Sequence, residues 1–283
     1  MTTVKEQIIR ALTHGRWGGR TLICLYISIL SGVALALQYN PGEPFYSTAT
    51  LELVVPYGSF WRSLHYYSSQ AFFLLLLCHV IVIIAEKKYL ETRTSWIRLT
   101  AGIPVAILLL FTGYVLRGDA TGQAAGAIAE HIALSIPFLG KPLNNLLFDI
   151  SANGVQKVYV NHLIGLMVLG CICIWPHLKK YTSSFFRHIP LTLAIFTGAI
   201  FFSTPMEPER IGLTHIAGPW FFLGLQELLR YIAPFWAGVM VPASLITALF
   251  ILPQEEKKQR LTLAFTVLWL IVYGVLSGIS YCR

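Results

Sequence analysis

Four of the eight histidines lie inside long apolar stretches of the chain: His65, His79, His162 and His177. An ionisable side chain in such a stretch is costly to bury, so each of the four is a functional candidate. His65 and His79 are 14 residues apart, which places them within about 40° of each other on a helix and about 21 Å apart along its axis. His162 and His177 are 15 residues apart, so a second helix nearly repeats the arrangement.

One crossing separates the two helices, so they run in the same direction. His65 is then expected to face His162 near one membrane surface, and His79 to face His177 near the other. Two facing imidazoles in a four-helix bundle suit the axial positions of a haem iron, so two pairs predict two haems. Because this spacing is one residue longer than that of His65 and His79, His177 is rotated about 60° past His162 around the helix axis. Pro176 is expected to kink the helix and so accommodate the additional residue.

A hydrogen-bonded role within a helix bundle is the alternative for any one of these four histidines. The other four, His14, His131, His188 and His215, lie near predicted surfaces and are expected to be ordinary polar residues.

The composition indicates an integral membrane protein. Hydrophobic residues make up 55% and charged residues 12% of the 283 residues, against roughly 25% charged in typical domains. The net charge is +8, but the chain has too few polar residues for a soluble surface. The excess of Lys and Arg therefore indicates membrane topology rather than nucleic-acid binding. The sequence contains no Cys-x-x-Cys-His motif, so haem is expected to be non-covalent.

Seven apolar segments predict membrane-spanning helices, and hence an all-α fold. They are residues 22–39, 60–85, 97–116, 158–178, 189–202, 234–252 and 261–281. Fourteen of the 21 Lys and Arg residues fall in loops on one side, which predicts a cytoplasmic N-terminus and a C-terminus outside. Before the first segment, Val4, Ile8, Ile9 and Leu12 share a helical face, as in a helix lying on the membrane surface.

The loops predicted to lie outside, residues 40–59, 118–156 and 203–233, are much longer than those inside. The second contains apolar pieces, 124–137 and 143–150, that are too short to span and fit interfacial helices. An elaborated outer face indicates chemistry or partner docking there.

A haem also needs cations for its propionates and space for its flat ring. Arg62 lies one helical turn before His65, and Lys157 lies five residues before His162. Both cations are expected at the outer edge, where propionates would point. The remaining candidates are glycines that let a macrocycle approach the backbone: Gly18, Gly32 and Gly113.

Over nearly its whole length the chain resembles cytochrome b of the quinol:cytochrome c and plastocyanin oxidoreductases. The segments that carry the resemblance are Trp61-Arg62-Ser63-Leu64-His65, Trp17-Gly18-Gly19, Ser31-Gly32, Thr112-Gly113-Tyr114-Val115-Leu116, residues 136–143 and Gly218-Pro219-Trp220-Phe221-Phe222. The spacing of 14 and 15 is similar to the chloroplast and cyanobacterial type, whereas the mitochondrial type has 14 in both helices. The resemblance implies a four-helix di-haem domain over residues 1–185 and a three-helix domain with an outer quinone-site loop over 186–283. The chloroplast type has these parts as two chains.

The resemblance implies quinol oxidation at the outer face, electron transfer from an outer to an inner b haem, and quinone chemistry at the inner face. Tyr114, Phe221 and Glu227 are then the residues expected near the outer quinone. Arg16 and Lys180 are expected near the inner one.

The resemblance also implies the partners of the protein and the membrane in which it lies. The partners are membrane lipid, quinone, and a Rieske iron–sulfur protein or a c-type cytochrome, including the multihaem kind, within a complex that contains a homodimer. The expected location is a bacterial or archaeal cytoplasmic membrane.

The sequence departs from the family pattern at four places. Arg117-Gly118 stands where the family has Pro-Trp, and Val82 where it usually has Arg. Arg16 stands where the chloroplast type has the Cys that attaches an extra haem, so that haem is not expected. Pro219 replaces the acidic residue of the Pro-Glu-Trp-Tyr loop, which is thought to accept a proton from quinol.

Either a different carboxylate accepts the proton, or the outer site no longer oxidises quinol. Glu227 is the nearest one after Pro219, and its alternative role is an ion pair with Arg230, three residues later. Further candidates on neighbouring outer loops are Asp119, Glu207 and Glu209.

Three other functions remain open from the sequence. The same fold can exchange electrons between the quinone pool and a multihaem cytochrome without a Rieske protein. The chain can also be a haem b membrane anchor for a dehydrogenase, or a transporter with histidine proton relays.

Overall fold

The structure is a computed structural model that describes residues 15–90, 93–209 and 216–283. Every regular element in these ranges is helical, which confirms the all-α prediction. The helices are α1 Trp17–Ala36, α2 Pro44–Leu53, α3 Gly58–Ala85, α4 Arg93–Val115, α5 Ala120–Leu134, α6 Gly140–Leu147, α7 Ile150–Asn153, α8 Gln156–Val160, α9 Leu166–Lys180, α10 Ile189–Phe201, α11 Leu223–Leu228, α12 Val241–Ile251 and α13 Glu256–Tyr281. A π turn joins α8 to α9 at Asn161–Gly165, and another precedes α12 at Trp236–Met240. Short 3₁₀ turns occupy Lys88–Leu90, Phe185–His188 and Trp220–Phe222.

Five helices are long and apolar enough to cross a membrane: Trp17–Ala36, Gly58–Ala85, Arg93–Val115, Gln156–Lys180 and Glu256–Tyr281. They correspond to the first four predicted segments and the last. The predicted segments 189–202 and 234–252 appear as the shorter apolar helices Phe185–Phe201 and Trp236–Ile251. A crossing takes roughly 20 residues, so these lengths make the chain a multi-pass membrane protein.

The long loop after α4 folds into short helices, as expected for 124–137 and 143–150. Asp119 caps the N-terminus of α5, where its side chain accepts a hydrogen bond from the Gly122 N–H at 2.9 Å. This cap satisfies one of the free N–H groups that every helix N-terminus presents. Arg117 and Thr121 also bind the Asp119 carboxylate, which is fully buried.

The residues that the structure describes divide into two packing units, whose ranges are given by their outer limits. The first comprises Met1–Tyr39, Ser47–Ser95 and Ile174–Pro205. In it α1 and α10 pack against α3. Their contact is an apolar core made of Ile23, Cys24, Ile27, Leu64, Ile195 and Ala199.

The second unit comprises Asn40–Tyr46, Trp96–Cys173 and Met206–Arg283. In it α11 and α12 pack against α13, and α5 packs against α6 and α7. The units interleave along the sequence, so the functional domains 1–185 and 186–283 stay a prediction. The predicted surface helix before residue 15, together with His14 and His215, lies outside the described residues.

Candidate functional site

His79 and His177, the predicted inner pair, lie side by side in the first unit. Their ring centroids are 6.3 Å apart. A metal–imidazole bond is about 2 Å long, so two imidazoles on opposite sides of one metal have centroids about 6 Å apart. The observed separation therefore matches a shared metal. A Cβ atom at Gly18 would lie 3.0 Å from His79 Cε1, so α1 approaches this ring closely only because residue 18 is glycine.

The predicted outer ligand His65 has its tautomer set by the backbone of α1. Its Nδ1 lies 2.8 Å from the carbonyl oxygen of Ser28. A carbonyl only accepts, so Nδ1 carries the proton and Nε2 is the nitrogen with a lone pair for a metal. Ser31 Oγ lies 3.5 Å from the same Nδ1. A Cβ at Gly32 would lie 2.9 Å from His65 Cε1, so a glycine again faces the ring.

His162, in the second unit, repeats this pattern with α4. Its Nδ1 lies 2.9 Å from Thr112 Oγ1, and that hydroxyl donates its own proton to the Leu108 carbonyl at 2.7 Å. The hydroxyl therefore accepts from Nδ1, which again leaves Nε2 unprotonated. A Cβ at Gly113 would lie 3.2 Å from His162 Cε1. Ser31-Gly32 and Thr112-Gly113 are thus equivalent pairs, each of which supports one histidine.

A π turn accommodates the extra residue between His162 and His177. His162 lies within Asn161–Gly165, which has π geometry, and such a turn is wider than an α turn because its hydrogen bonds join residues five apart. The sequence pattern predicted that Pro176 would accommodate this residue. The helix continues through Pro176 to Lys180, so the wide turn is where the extra residue is inserted.

These residues fit a haem. Within 15–90, 93–209 and 216–283 no group of three or more His, Cys, Asp or Glu side chains is arranged to hold a metal ion. A pair of imidazoles would instead suit the iron of a haem, whose macrocycle supplies the remaining ligands. The glycines at positions 18, 32 and 113 keep side chains away from the rings.

Arg62 and Lys157, the predicted propionate partners, hold carboxylates of the chain itself. Arg62 is buried; its Nη1 lies 2.6 Å from Glu52 Oε2, and its Nη2 donates to the Pro205 carbonyl at 2.9 Å. Lys157 pairs with Asp149, and this hydrogen bond lowers the pKa of the Asp149 carboxyl. Sequence analysis missed both carboxylates, because only the fold brings them to the cations.

Tyr114 and Phe221 both belong to the second unit. The Tyr114 hydroxyl reaches the Ala217 carbonyl, at 3.4 Å. Next to Phe221, the ring of Phe222 packs edge-on against Phe111 with centroids 5.1 Å apart. The loop around Phe221 therefore lies beside the end of α4 that carries Tyr114.

Gln226 shapes this loop, and sequence analysis did not single it out. Its Oε1 accepts from the Gly218 N–H at 2.6 Å, and its Nε2 donates to the Ile216 carbonyl at 2.7 Å. One side chain on α11 thus holds the backbone on both sides of residue 217.

Glu227 is buried, with 1% of its surface exposed, and has partners other than the one expected. Its Oε1 accepts a hydrogen bond from the Tyr231 hydroxyl at 2.5 Å and lies 3.3 Å from Arg283 Nη2. The predicted partner Arg230 instead donates its backbone N–H to the Glu227 carbonyl. The ion pair of Glu227 is therefore with Arg283.

The alternative carboxylates differ in exposure. Asp119 is fully buried, caps α5 and also accepts from the Glu207 N–H at 3.1 Å. The Glu209 side chain lies 3.4 Å from the Tyr46 hydroxyl. The Glu207 side chain is exposed. Asp119 therefore has a structural role, whereas the Glu207 side chain is exposed at the protein surface.

On the predicted inner side, Arg16 precedes α1 in a left-handed conformation with φ 46°, and Lys180 ends α9. His188 was expected to be an ordinary surface residue, but it is buried. A Cβ at Gly19 would lie 2.8 Å from His188 Nε2 and 3.0 Å from Ser183 Oγ. The second glycine of the Gly18-Gly19 pair thus makes room for a histidine that sequence analysis did not select.

Comparisons with known proteins add to this geometry. Residues 7–182 match the family model described as Cytochrome b/b6/petB. The chain is similar to cytochrome b6 of Heliomicrobium gestii, with 27% identity over 166 residues, which is 56% of this chain and 78% of that one. It is also similar to cytochrome b6 of Heliobacterium modesticaldum, with 29% identity over 164 residues, or 56% and 75% of the two chains. Cytochrome b of Bugula neritina is 23% identical over 272 residues, or 83% and 74% of the two chains.

Among solved structures, one described as "Hyperthermophilic respiratory Complex III" aligns with a TM-score of 0.69 at 19% identity. The alignment covers 94% of this chain and 83% of that one. At this identity the likeness shows a shared fold.

Proposed function

The chain belongs to the cytochrome b family, and from that premise we propose that it is the di-haem subunit of a quinol/quinone oxidoreductase. Members of this family bind haem b. The number of haems, their ligands and the quinone sites belong to the proposal. The observation that carries it is the pair His79 and His177, whose ring centroids are 6.3 Å apart, as two ligands of one metal would be.

His79 and His177 hold the inner haem, and His65 and His162 hold the outer one. When bound, the two haems supply reversible one-electron transfer across the bilayer. The Nδ1 hydrogen bonds of His65 and His162 support the outer ligation, because they fix the ring orientation and leave Nε2 as the metal ligand. Gly18, Gly32 and Gly113 leave space beside the rings.

Arg62 and Lys157 provide positive charge beside the outer haem. Each cation shares its charge with a carboxylate, Glu52 or Asp149. The guanidinium of Arg62 has five N–H donors, so pairing with Glu52 does not exhaust its capacity for a propionate.

At the outer quinone site, Tyr114 and Phe221 form aromatic walls and Glu227 accepts a proton from quinol. The proton is transferred to Oε1 of Glu227. This carboxylate pairs with Arg283. Tyr231, which is 60% exposed and donates to the same oxygen, connects this buried carboxylate to the surface.

At the inner quinone site, Arg16 and Lys180 supply positive charge. His188 joins them as a candidate, because its ring is buried beside Gly19 in the same unit. Quinone reduction takes up protons, and an imidazole is one of the side chains that can deliver them.

The proposed complex lies in a bacterial or archaeal cytoplasmic membrane, with the N-terminus inside and the C-terminus outside. Its partners are membrane lipid, a Rieske protein or a c-type cytochrome, and a second copy of the chain. The four-helix haem domain ends at residue 185, and the three-helix domain begins at residue 186. Reporter fusions at Glu255 and Glu207 are expected to report opposite sides of the membrane, and the same side for both would overturn this topology.

A second candidate has the same fold and haems but passes electrons to a multihaem cytochrome without a Rieske protein. It is favoured by Pro219, which stands where the family has an acidic residue. The subunit composition of the purified complex separates the two.

The test of the proposal is haem content in single histidine variants. The purified protein should release close to two haems per chain on acid–acetone extraction. His79→Leu and His177→Leu should lose the same haem, and His65→Leu and His162→Leu the other. The control is His131→Leu, which changes an exposed histidine and should keep both. About one haem per chain in the unmodified protein, or haem that resists extraction, contradicts the proposal.

A further inference from the structure

Pro176 leaves one backbone carbonyl of α9 without its helical donor. Proline has no N–H, and the acceptor of that missing group is the residue four positions earlier, Ile172. Pro176 lies inside the helix and directly before His177. In a membrane, water does not replace a lost backbone donor, so a neighbouring element must supply one.

Arg98 supplies that donor. It lies near the start of α4, and its Nη2 donates to the Ile172 carbonyl at 2.9 Å. Both residues belong to the second packing unit. The bond is charge-assisted and therefore stronger than one between neutral groups. The Arg98 side chain is exposed, so its charge need not be buried to make it.

A second side chain of α4 also donates to a backbone carbonyl of another helix. Trp96 Nε1 donates to the Leu249 carbonyl at 2.6 Å. That carbonyl also accepts the Leu252 N–H at 3.3 Å, at the end of α12. The start of α4 thus provides side-chain donors to backbone carbonyls of two other helices.

We propose that Arg98 is a positioning residue for His177. By holding the Ile172 carbonyl, it sets the path of α9 at Pro176 and so the direction in which the next residue, His177, presents its imidazole. The inference rests on the proposed ligation of the inner haem by His79 and His177. It adds a residue whose charge is not used by the ligation itself.

The role of Arg98 can be separated from its charge because the missing N–H can be restored. In Pro176→Ala the backbone supplies its own donor to Ile172, so Arg98 is no longer needed. Four variants of the full-length protein are required: Arg98→Ala, Pro176→Ala, the double variant, and Arg93→Ala. Arg93 is exposed on the first turn of the same helix, so its loss controls for a general loss of positive charge.

Three properties are measured: haem per chain, the midpoint potential of each haem, and the electron paramagnetic resonance signal of each ferric haem. Arg98→Ala should shift the potential and signal of the inner haem alone and lower its retention. In the double variant, the potential and the signal of the inner haem should return to the values of Pro176→Ala. Arg93→Ala should leave them unchanged.

The inference is overturned if Arg98→Ala leaves the inner haem unchanged, or if the double variant is as altered as Arg98→Ala. It is also overturned if Arg93→Ala gives the same shift. If Arg98→Ala does not accumulate, recovery in the double variant supports the inference, and no recovery overturns it. His177→Leu is measured in parallel: if that variant keeps both haems, the proposed ligation itself has failed.

Discussion

The Thr112 hydroxyl accepts the Nδ1 proton of His162, because its own proton is directed to the Leu108 carbonyl. The direction of this bond matters for a metal ligand. A ring that donates from Nδ1 is a more electron-rich ligand through Nε2, which favours the oxidised metal.

Thr112→Val removes this acceptor while keeping the side-chain shape. The midpoint potential of the outer haem should rise, because the oxidised state loses stabilisation. A hydrogen bond of about 1 kcal/mol corresponds to on the order of 40 mV for a one-electron couple. Thr112→Ser keeps the hydroxyl and should stay near the original potential. A fall in potential in the valine variant, measured by redox titration, would contradict this account.

Gly32→Ala should lower the occupancy of the outer haem. The added Cβ would lie 2.9 Å from His65 Cε1, so the imidazole must move away from its position. Gly198→Ala is the matched control, since a Cβ there meets nothing within 4 Å. The control should retain both haems and gain up to about 1 kcal/mol of helix stability. Equal haem content in the two variants would show that the close approach of α1 has no role.

Arg62→Leu and Glu52→Gln should shift the outer-haem potential in opposite directions. The two side chains form an ion pair at 2.6 Å, so each single replacement changes the local charge by one unit of opposite sign. Loss of the positive charge disfavours the reduced haem and lowers the potential; loss of the negative charge raises it. The double variant should lie near the original value. Shifts of the same sign in both single variants would exclude an electrostatic role.

Glu227→Gln should slow quinol-dependent reduction of the outer haem by about tenfold or more, the scale of a general-base contribution. The haem content should not change, because Glu227 has no proposed contact with haem. Glu207→Gln is the matched control on an exposed outer carboxylate. An unchanged rate in Glu227→Gln with a slowed rate in Glu207→Gln would transfer the role to Glu207.

Glu130 should make stability depend on pH. Burial alone would raise the pKa of Glu130, but hydrogen bonds from Asn144 and Ser151 more than offset it, so the pKa lies below its ordinary value of 4.5. A carboxyl with a lowered folded-state pKa stabilises the protein above its unfolded pKa, and this contribution is lost as the pH falls through the folded value. Below about pH 4.5, the thermal midpoint should therefore fall more steeply in the unmodified protein than in Glu130→Gln. Parallel curves for the two proteins would show that Glu130 is not the responsible group.

Local spacing predicted the long helices and the pairing of His79 with His177, because both depend on periodicities that a helix imposes on its sequence; the pairing of His65 with His162 stays a prediction. His79 and His177 lie together as that periodicity predicts. The Ser or Thr residue before a glycine, as in Ser31-Gly32 and Thr112-Gly113, was visible in the sequence. Its role was not, because a hydrogen bond to a histidine on another helix has no signature in spacing.

The charge partners were the least predictable part. Sequence reasoning paired Glu227 with Arg230 because residues three apart share a helical face. The short helix α11 ends at Leu228, so Arg230 is beyond the helix that this rule assumes. Arg283 reaches Glu227 from a position 56 residues away in sequence, which only tertiary packing determines.

The π turn at Asn161–Gly165 has a consequence for the spacing of the histidines. A π turn is an α turn with one residue inserted, and it lies between the histidines whose spacing is one longer than that of His65 and His79. Deleting one residue after His162 within this turn would restore α geometry and a spacing of 14, while the rest of the helix keeps its facing. A change of spacing between 15 and 14 residues can therefore be confined to this turn of the backbone.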